Sequence, residues 1–237
     1  MVAMNPGRPH RKPPREDNLA DRIYQRIKQE IFDWQLLPGD RFTESELAAR
    51  MQASRTPVRE ALVRLQRDGY VEVQFRNGWT IRPFDFRSLE NLYDVRVILE
   101  LAALRQLCDS DDLELRLEPL RQVWTAAPDA RPREGRIVAE LDERFHEHLV
   151  EATGNDEMAR IHHDVTERIR IVRRLDFTMD RRIEATYAEH AQILHVLLSR
   201  HCEQAQQQLR AHIEESKAEV RKITLHMLDE ARRRARA

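Results

Sequence analysis

From residue 88 to about residue 230 the chain has no run with the alternation of a strand; apolar side chains recur every three to four residues throughout. The periodicity falls into six stretches, 88–107, 111–125, 134–153, 156–177, 180–199 and 202–230, with a proline- and alanine-rich break at 126–133 and Gly154-Asn155 closing the third. Stretches of this kind bury their apolar stripes by packing helix on helix, so this body is expected to be an all-α bundle. Six glycines in 237 residues argue the same way, and neither GxGxxG nor GxxxxGK[ST] occurs, which speaks against glycine-rich nucleotide loops. No internal repeat is evident.

The first 87 residues read differently. Residues 1–17 are basic and proline-rich with almost no large apolar groups, and are expected to form a disordered arm. Asn18 then caps a helix carrying Leu19, Ile23, Ile27 and Ile31, and Leu37-Pro38-Gly39-Asp40 ends the connection after it. A second helix starts near Glu44 with Leu47, Ala48 and Met51 on its apolar face. A third starts at Thr56 as cap, with Pro57 at its first position, and runs through Val58, Leu62 and Leu65 to Asp68-Gly69. Residues 70–74 and 79–81 flank Arg76-Asn77-Gly78, a strong hairpin signal. Three helices and a hairpin predict a winged helix-turn-helix over 18–82, followed by a linker at 83–87, the helical body at 88–230 and a basic tail at 231–237. The fold class is mainly α.

Charge supports this division. Residues 1–87 hold 16 basic and 12 acidic side chains, while the remainder holds 24 and 29, so a basic head precedes an acidic body. No stretch is apolar enough to span a bilayer and the first residues lack the apolar centre of a secretory signal, so the chain is expected in the cytoplasm and off the membrane. Cys108 and Cys202 lie far apart without CxxC spacing. They imply neither a disulfide framework nor a thiolate zinc site, and are expected as buried small apolar residues.

In a winged helix-turn-helix the third helix enters the major groove. Arg55, Thr56 and Arg59 stand at its start, and an arginine fork can hold guanine O6 and N7 together; a lone arginine at a helix start is otherwise usually solvated. The residues Leu47-Ala48, Ser54-Arg55-Thr56-Pro57-Val58-Arg59-Glu60-Ala61-Leu62, Leu65, Asp68-Gly69 and Asn77-Gly78 resemble the GntR superfamily of bacterial transcription regulators. That resemblance implies DNA contacts from Ser45, Arg55, Thr56 and Arg59, and from Gly78 in the wing; Ser54 at the start of the third helix and Asn77 at the wing tip, which can approach the minor groove, are counted with them. Trp34 and Gln52 depart from it, standing where such heads often have glycine.

In the body, Asp142 and His146 are one turn apart beside the stripe of Val138, Leu141, Phe145 and Leu149. His190 is in register with Ile183, Tyr187, Leu194 and Leu197, and His212 with Ala205, Leu209, Ser216 and Val220, so both point inward. Three imidazoles and a carboxylate suit a divalent ion such as zinc, nickel or manganese, whereas an inward histidine can equally be a hydrogen-bonded core residue. His148, His162, His163, His195, His201 and His226 fall off these stripes. The run from Leu141 to Leu149, Gly154-Asn155, Glu189-His190 and His212 resemble the FCD domain found in one GntR branch. This resemblance implies a metal held by Asp142, His146, His190 and His212, a small-molecule effector, often an organic acid, and a homodimer on a palindromic operator. Arg96, beside an apolar face, pairs either with an effector carboxylate or with Glu100. Arg170, Arg173 and Arg174 form a cationic cluster that can partly line the cavity, most of it expected as solvated surface. The reading is a ligand-responsive DNA-binding regulator, a repressor. The alternative is a metal-dependent hydrolase or isomerase on the same Asp/His cluster, with Glu143 or Glu189 as base.

Overall fold

The computed structural model describes residues 18–74, 78–177, 180–220, 222 and 233. The expected arm, the wing residue Asn77, His226 and nearly all of the basic tail lie outside them. Among the described residues two compact units form: one holds residues 18–29 together with those of 40–81, the other residues 30–39 and those after 81.

In the first unit Asn18 and Asp21 cap helix α1 (Leu19–Phe32) reciprocally, each side chain accepting from the other's backbone N–H at 2.9 and 3.3 Å. Strand β1 (Arg41–Thr43) leads into α2 (Glu44–Met51), where Thr43 and Glu46 form a capping box. Helix α3 (Arg55–Arg67) follows, then β2 (Val71–Gln74) and β3 (Gly78–Ile81). Tyr24 of α1 donates to Asp68 beyond α3 at 2.7 Å, and Ile27, Val58, Leu62, Leu65 and Ile81 are buried between the elements.

Three local expectations change. The wing is a three-stranded antiparallel sheet in the order β1-β3-β2, with Phe42 and Val73 flanking Trp79. β1 is only three residues long and exists by pairing with β3, so no local period announces it. Helix α3 is capped at Ser54 rather than Thr56, and Ser54 makes no side-chain cap bond; Pro57 is still in the first turn, where an N–H has no helical partner to lose. Gln52 and Trp34 keep the glycine-like backbone of the positions they occupy, with φ of 52° and 59°. That geometry costs a residue with a Cβ about 1–2 kcal/mol relative to glycine.

The second unit holds α4 (Phe86–Cys108), α5 (Leu113–Trp124), a single 3-10 turn (Pro128–Ala130) in the proline-rich break, α6 (Gly135–Glu151), α7 (Asp156–Asp176), α8 (Asp180–Leu198) and α9 (Cys202–Val220). Asp85 caps α4 through the Ser88 N–H at 3.1 Å, so this helix begins inside the expected linker. Helix α4 packs on α6, α7 and α9, and α8 on α5 and α9. Trp124 sits at the centre, its ring 5.7 Å from Phe145 and 5.0 Å from Tyr187. Gly135 opens α6 against the Phe177 carbonyl; a Cβ there would lie 2.1 Å from that oxygen, so only glycine lets the two backbones meet. Among the described residues no helix is long and apolar enough to cross a membrane.

The cysteines correct the sequence reading. Cys108, ending α4, and Cys202, opening α9, are joined in a disulfide across 94 residues. The packing of these two helices brings the ends together, which no spacing rule could reveal. A disulfide typically stabilises a fold by about 2–4 kcal/mol.

Candidate functional site

On the first unit the start of α3 is open. Arg55 and Arg59 keep 62% and 63% of their side-chain surface, and Ser45, Ser54 and Thr56 are exposed. With Glu44, Asp21 and Arg64, the residues Arg55, Thr56 and Arg59 border a cleft of about 1430 Å³. Gly78 begins β3 opposite Thr43 and Gln74. The two arginines are not loose: Arg55 Nη2 and Arg59 Nε each donate to Glu44 at 3.1 Å. Burial would raise the Glu44 pKa, but the Arg55 hydrogen bond and the charge of Arg59 outweigh it and hold the carboxyl below its ordinary value.

In the second unit Asp142 and His146 of α6, His190 of α8 and His212 of α9 are all buried, and one ligand atom from each lies within 4.8 Å of the others. His212 Nε2 is 3.2 Å from both His146 Nε2 and His190 Nε2; Asp142 Oδ1 is 3.7 Å from His146 Nε2 and 3.4 Å from His190 Nε2. The outer nitrogens decide what these atoms are. His146 Nδ1 lies 2.6 Å from Glu100 and His212 Nδ1 2.6 Å from Glu189, so each must be the N–H that donates to its carboxylate. In the neutral imidazoles both Nε2 atoms are then bare lone pairs, facing each other across 3.2 Å. Two lone pairs and a carboxylate oxygen converging in a dry interior repel one another unless a cation lies among them, and carboxylate-anchored imidazoles are the usual ligands of such an ion.

Electrostatics agrees. Burial, followed by the charge of Arg96, presses His146 down to about 4 in spite of Glu100 and Asp142. Burial and then His212 press His190 well below its ordinary value. Both rings are neutral at neutral pH and offer lone pairs. Asp142, which burial alone would leave protonated more readily, is held well below the carboxylate range chiefly by Arg173, and Glu100 likewise chiefly by Arg96.

Residues 19–81 match the bacterial regulatory proteins of the gntR family, and residues 91–215 match the FCD domain. The chain belongs to the GntR family, in its FCD branch. It is 33% identical over 178 residues to the Nta operon transcriptional regulator of Aminobacter aminovorans, covering 75% of this regulator and 82% of that one. It is 30% identical over 191 residues to the HTH-type transcriptional regulator YdhC of Bacillus subtilis, covering 80% and 85%. A solved transcriptional regulator GntR from Rhodococcus sp. RHA1 shares the fold at a TM-score of 0.69 and 21% identity, over 86% of this chain and 98% of that one.

A transcriptional regulator, not an enzyme, is what these similarities establish, and both carboxylates considered as a base for the hydrolase alternative already have cationic or imidazole partners. Glu143 is engaged by Arg170, and Glu189 by Arg182 and by His212. The regulator also corrects the reading of its arginines. Arg170, Arg173 and Arg174 retain 17%, 6% and 12% of their side-chain surface, so they are not solvated; they bind Glu143, Asp142 and Asp33. Arg96 donates to Glu100 at 2.5 Å, the intrahelical pairing, yet its Nη2 is buried without a hydrogen-bond partner, as is Nη1 of Arg173.

Sequence reasoning missed Glu100, Arg173 and His162 as parts of this centre, and placed Glu189 there only as a base, not as the carboxylate behind His212. His162, set aside as off the stripe, is buried and 3.0 Å from Glu100. A usable signal existed for one of them: Arg96 and Glu100 are charged residues four apart on an otherwise apolar face, which requires each to have a buried partner.

Proposed function

We propose that this regulator is a dimeric, sequence-specific repressor whose helical unit binds a small organic carboxylate beside a divalent metal. The observation that carries the reading is the pair of carboxylate-anchored imidazoles, His146 and His212, whose bare Nε2 atoms face each other with His190 and Asp142 alongside. Those four residues would hold the ion. Zinc, nickel and manganese all accept such a donor set. The metal would offer the effector carboxylate a fixed positive charge. Around it, Arg96 Nη2 and Arg173 Nη1 are buried donors that an anion would satisfy, and Arg96 is the first residue assigned to it.

In the head, Arg55, Thr56 and Arg59, with Ser45, Ser54 and the wing residues Asn77 and Gly78, are assigned to DNA. One such head covers few base pairs, so two copies on a palindrome supply the specificity that one lacks. Repression needs only occupancy of the operator by this dimer, and the work is done in the cytoplasm, where the DNA is. The effector alters DNA affinity only by the difference in its affinity for the bound and released states, transmitted through the segment at 83–87.

The test begins with selection of duplex fragments by the purified chain at near-physiological salt, where phosphate attraction alone is weak. A short palindrome enriched from the pool is expected. Metal content by elemental mass spectrometry is expected at about one ion per chain, and mixing carboxylates with the metal-loaded chain is expected to identify one that weakens operator binding. Absence of a shared sequence would overturn the head assignment, and absence of metal after loading would overturn the centre.

A further inference from the structure

A carboxylate at a DNA-reading face needs a reason. Phosphates repel it, so a protein that only had to adhere to DNA would be better without it. Glu44 nonetheless stands at the first position of α2, 5% exposed, beneath two exposed arginines at the start of α3.

Its contacts are divided. Oε2 accepts from Arg55 Nη2 and Oε1 from Arg59 Nε, both at 3.1 Å, and the Trp79 indole of β3 also donates to the carboxylate. One side chain therefore ties together the start of α2, the reading end of α3 and the wing strand. What it leaves free matters as much. An arginine has five N–H donors in a planar fork. Gripping Arg59 by Nε leaves both of its Nη groups available, the edge that meets O6 and N7 of a guanine. Two long side chains that would otherwise lose rotamer freedom on binding, each worth about 0.5–1.5 kcal/mol, are already held.

We infer that Glu44 is a specificity-determining positioning residue: it orients the Arg55 and Arg59 guanidinium groups for base edges and, by its charge, weakens attachment to DNA that lacks the matching bases. This rests on the assignment of those arginines to DNA. A carboxylate in this role raises the ratio of operator to nonspecific affinity from both sides, by preorganising the matched contact and penalising the unmatched one.

Glu44→Gln keeps the size of the side chain and its place at the start of α2 but removes the charge. The experiment uses the full chain, with an operator obtained by its own selection from random duplexes. Wild type and variant are then titrated by fluorescence anisotropy against that operator, single-base-pair variants of it and a scrambled duplex, at several salt concentrations. Wild-type discrimination is expected to fall about tenfold or more in the variant, in line with the value of a bidentate arginine contact. Scrambled-duplex affinity is expected to rise, with a steeper salt dependence, because a repulsive charge has gone. A merely structural Glu44 would lower both affinities together; that result, or an unchanged ratio, overturns the inference. Thermal melting of both proteins, and Glu44→Ala as a second variant with the same expected change in ratio, guard against a folding defect. If wild type itself selects no sequence, the DNA assignment of the arginines fails and the role of Glu44 with it; if wild type discriminates and Glu44→Gln does so equally, only the role of Glu44 fails.

Discussion

The reading face of the first unit and the histidine cluster of the second use the same device in opposite surroundings. In both, a carboxylate from elsewhere in the chain holds the side chains proposed to meet the ligand: Glu44 beneath Arg55 and Arg59, Glu100 and Glu189 behind His146 and His212. The arginines are more than half exposed, so water solvates whatever Glu44 leaves unpaired. The imidazoles are buried, so nothing but protein or a ligand can answer them. Loss of an anchor in the head should therefore alter recognition at little cost in stability, whereas loss of an anchor in the body should cost the fold as well.

The strongest way to break this contrast is Asp142→Ala, measured with a chelator present so that metal does not contribute. Arg173 then loses the carboxylate it binds in the interior, and a buried charge deprived of its partner costs about 3–5 kcal/mol. Urea unfolding of the helical unit is the measurement; a loss below 1 kcal/mol would mean that water reaches Arg173. The folded pKa of Asp142 is depressed, so the pair's contribution is complete at pH above the unfolded aspartate value of about 3.9 and is lost as the pH falls from there toward the folded value.

A finer comparison sets the two anchors of the body against each other. Glu100 is wholly buried and holds Arg96, His146 and His162, while Glu189 keeps 28% of its side-chain surface and is also bound by Arg182. Both Glu100→Gln and Glu189→Gln are expected to weaken zinc binding about 10–100-fold, the usual effect of losing a carboxylate behind a ligating imidazole. Only Glu100→Gln is expected to lower the melting temperature of the metal-free protein as well. Equal melting with unequal zinc affinity, by competition with a chromophoric chelator, would refute the burial argument.

These anchors also mark where the sequence stops being legible. Asp142, His146, His190 and His212 each lie on the apolar face of their own helix, so period and family resemblance together picked them out. Glu100 and His162 touch across 62 residues and Arg173 and Asp142 across 31, and such pairings depend on how helices cross, which no local pattern encodes. The disulfide escaped for the same reason, and β1 because three residues make a strand only with a partner. Local backbone fared better. Gln52 and Trp34 stand out because glycine is common at their positions, and both adopt the left-handed backbone glycine would favour. The C-terminal end of α3 was legible, since Gly69 stops it, while its cap moves two residues, from Thr56 to Ser54, because both are capping residue types.

That shift gives the smallest and most discriminating test of the head. Thr43 accepts from the Glu46 N–H at 3.1 Å in a complete capping box, whereas Ser54, at the equivalent position of α3, makes no cap bond. Thr43→Ala is expected to destabilise the first unit by about 1 kcal/mol; Ser54→Ala should leave its unfolding midpoint unchanged. The absence of a cap bond leaves the Ser54 hydroxyl available to DNA at the exposed start of α3, so Ser54→Ala should weaken operator binding in anisotropy titrations. Destabilisation by Ser54→Ala with unchanged DNA affinity would make Ser54 an ordinary cap, and would remove it from the reading face that Arg55 and Arg59 define.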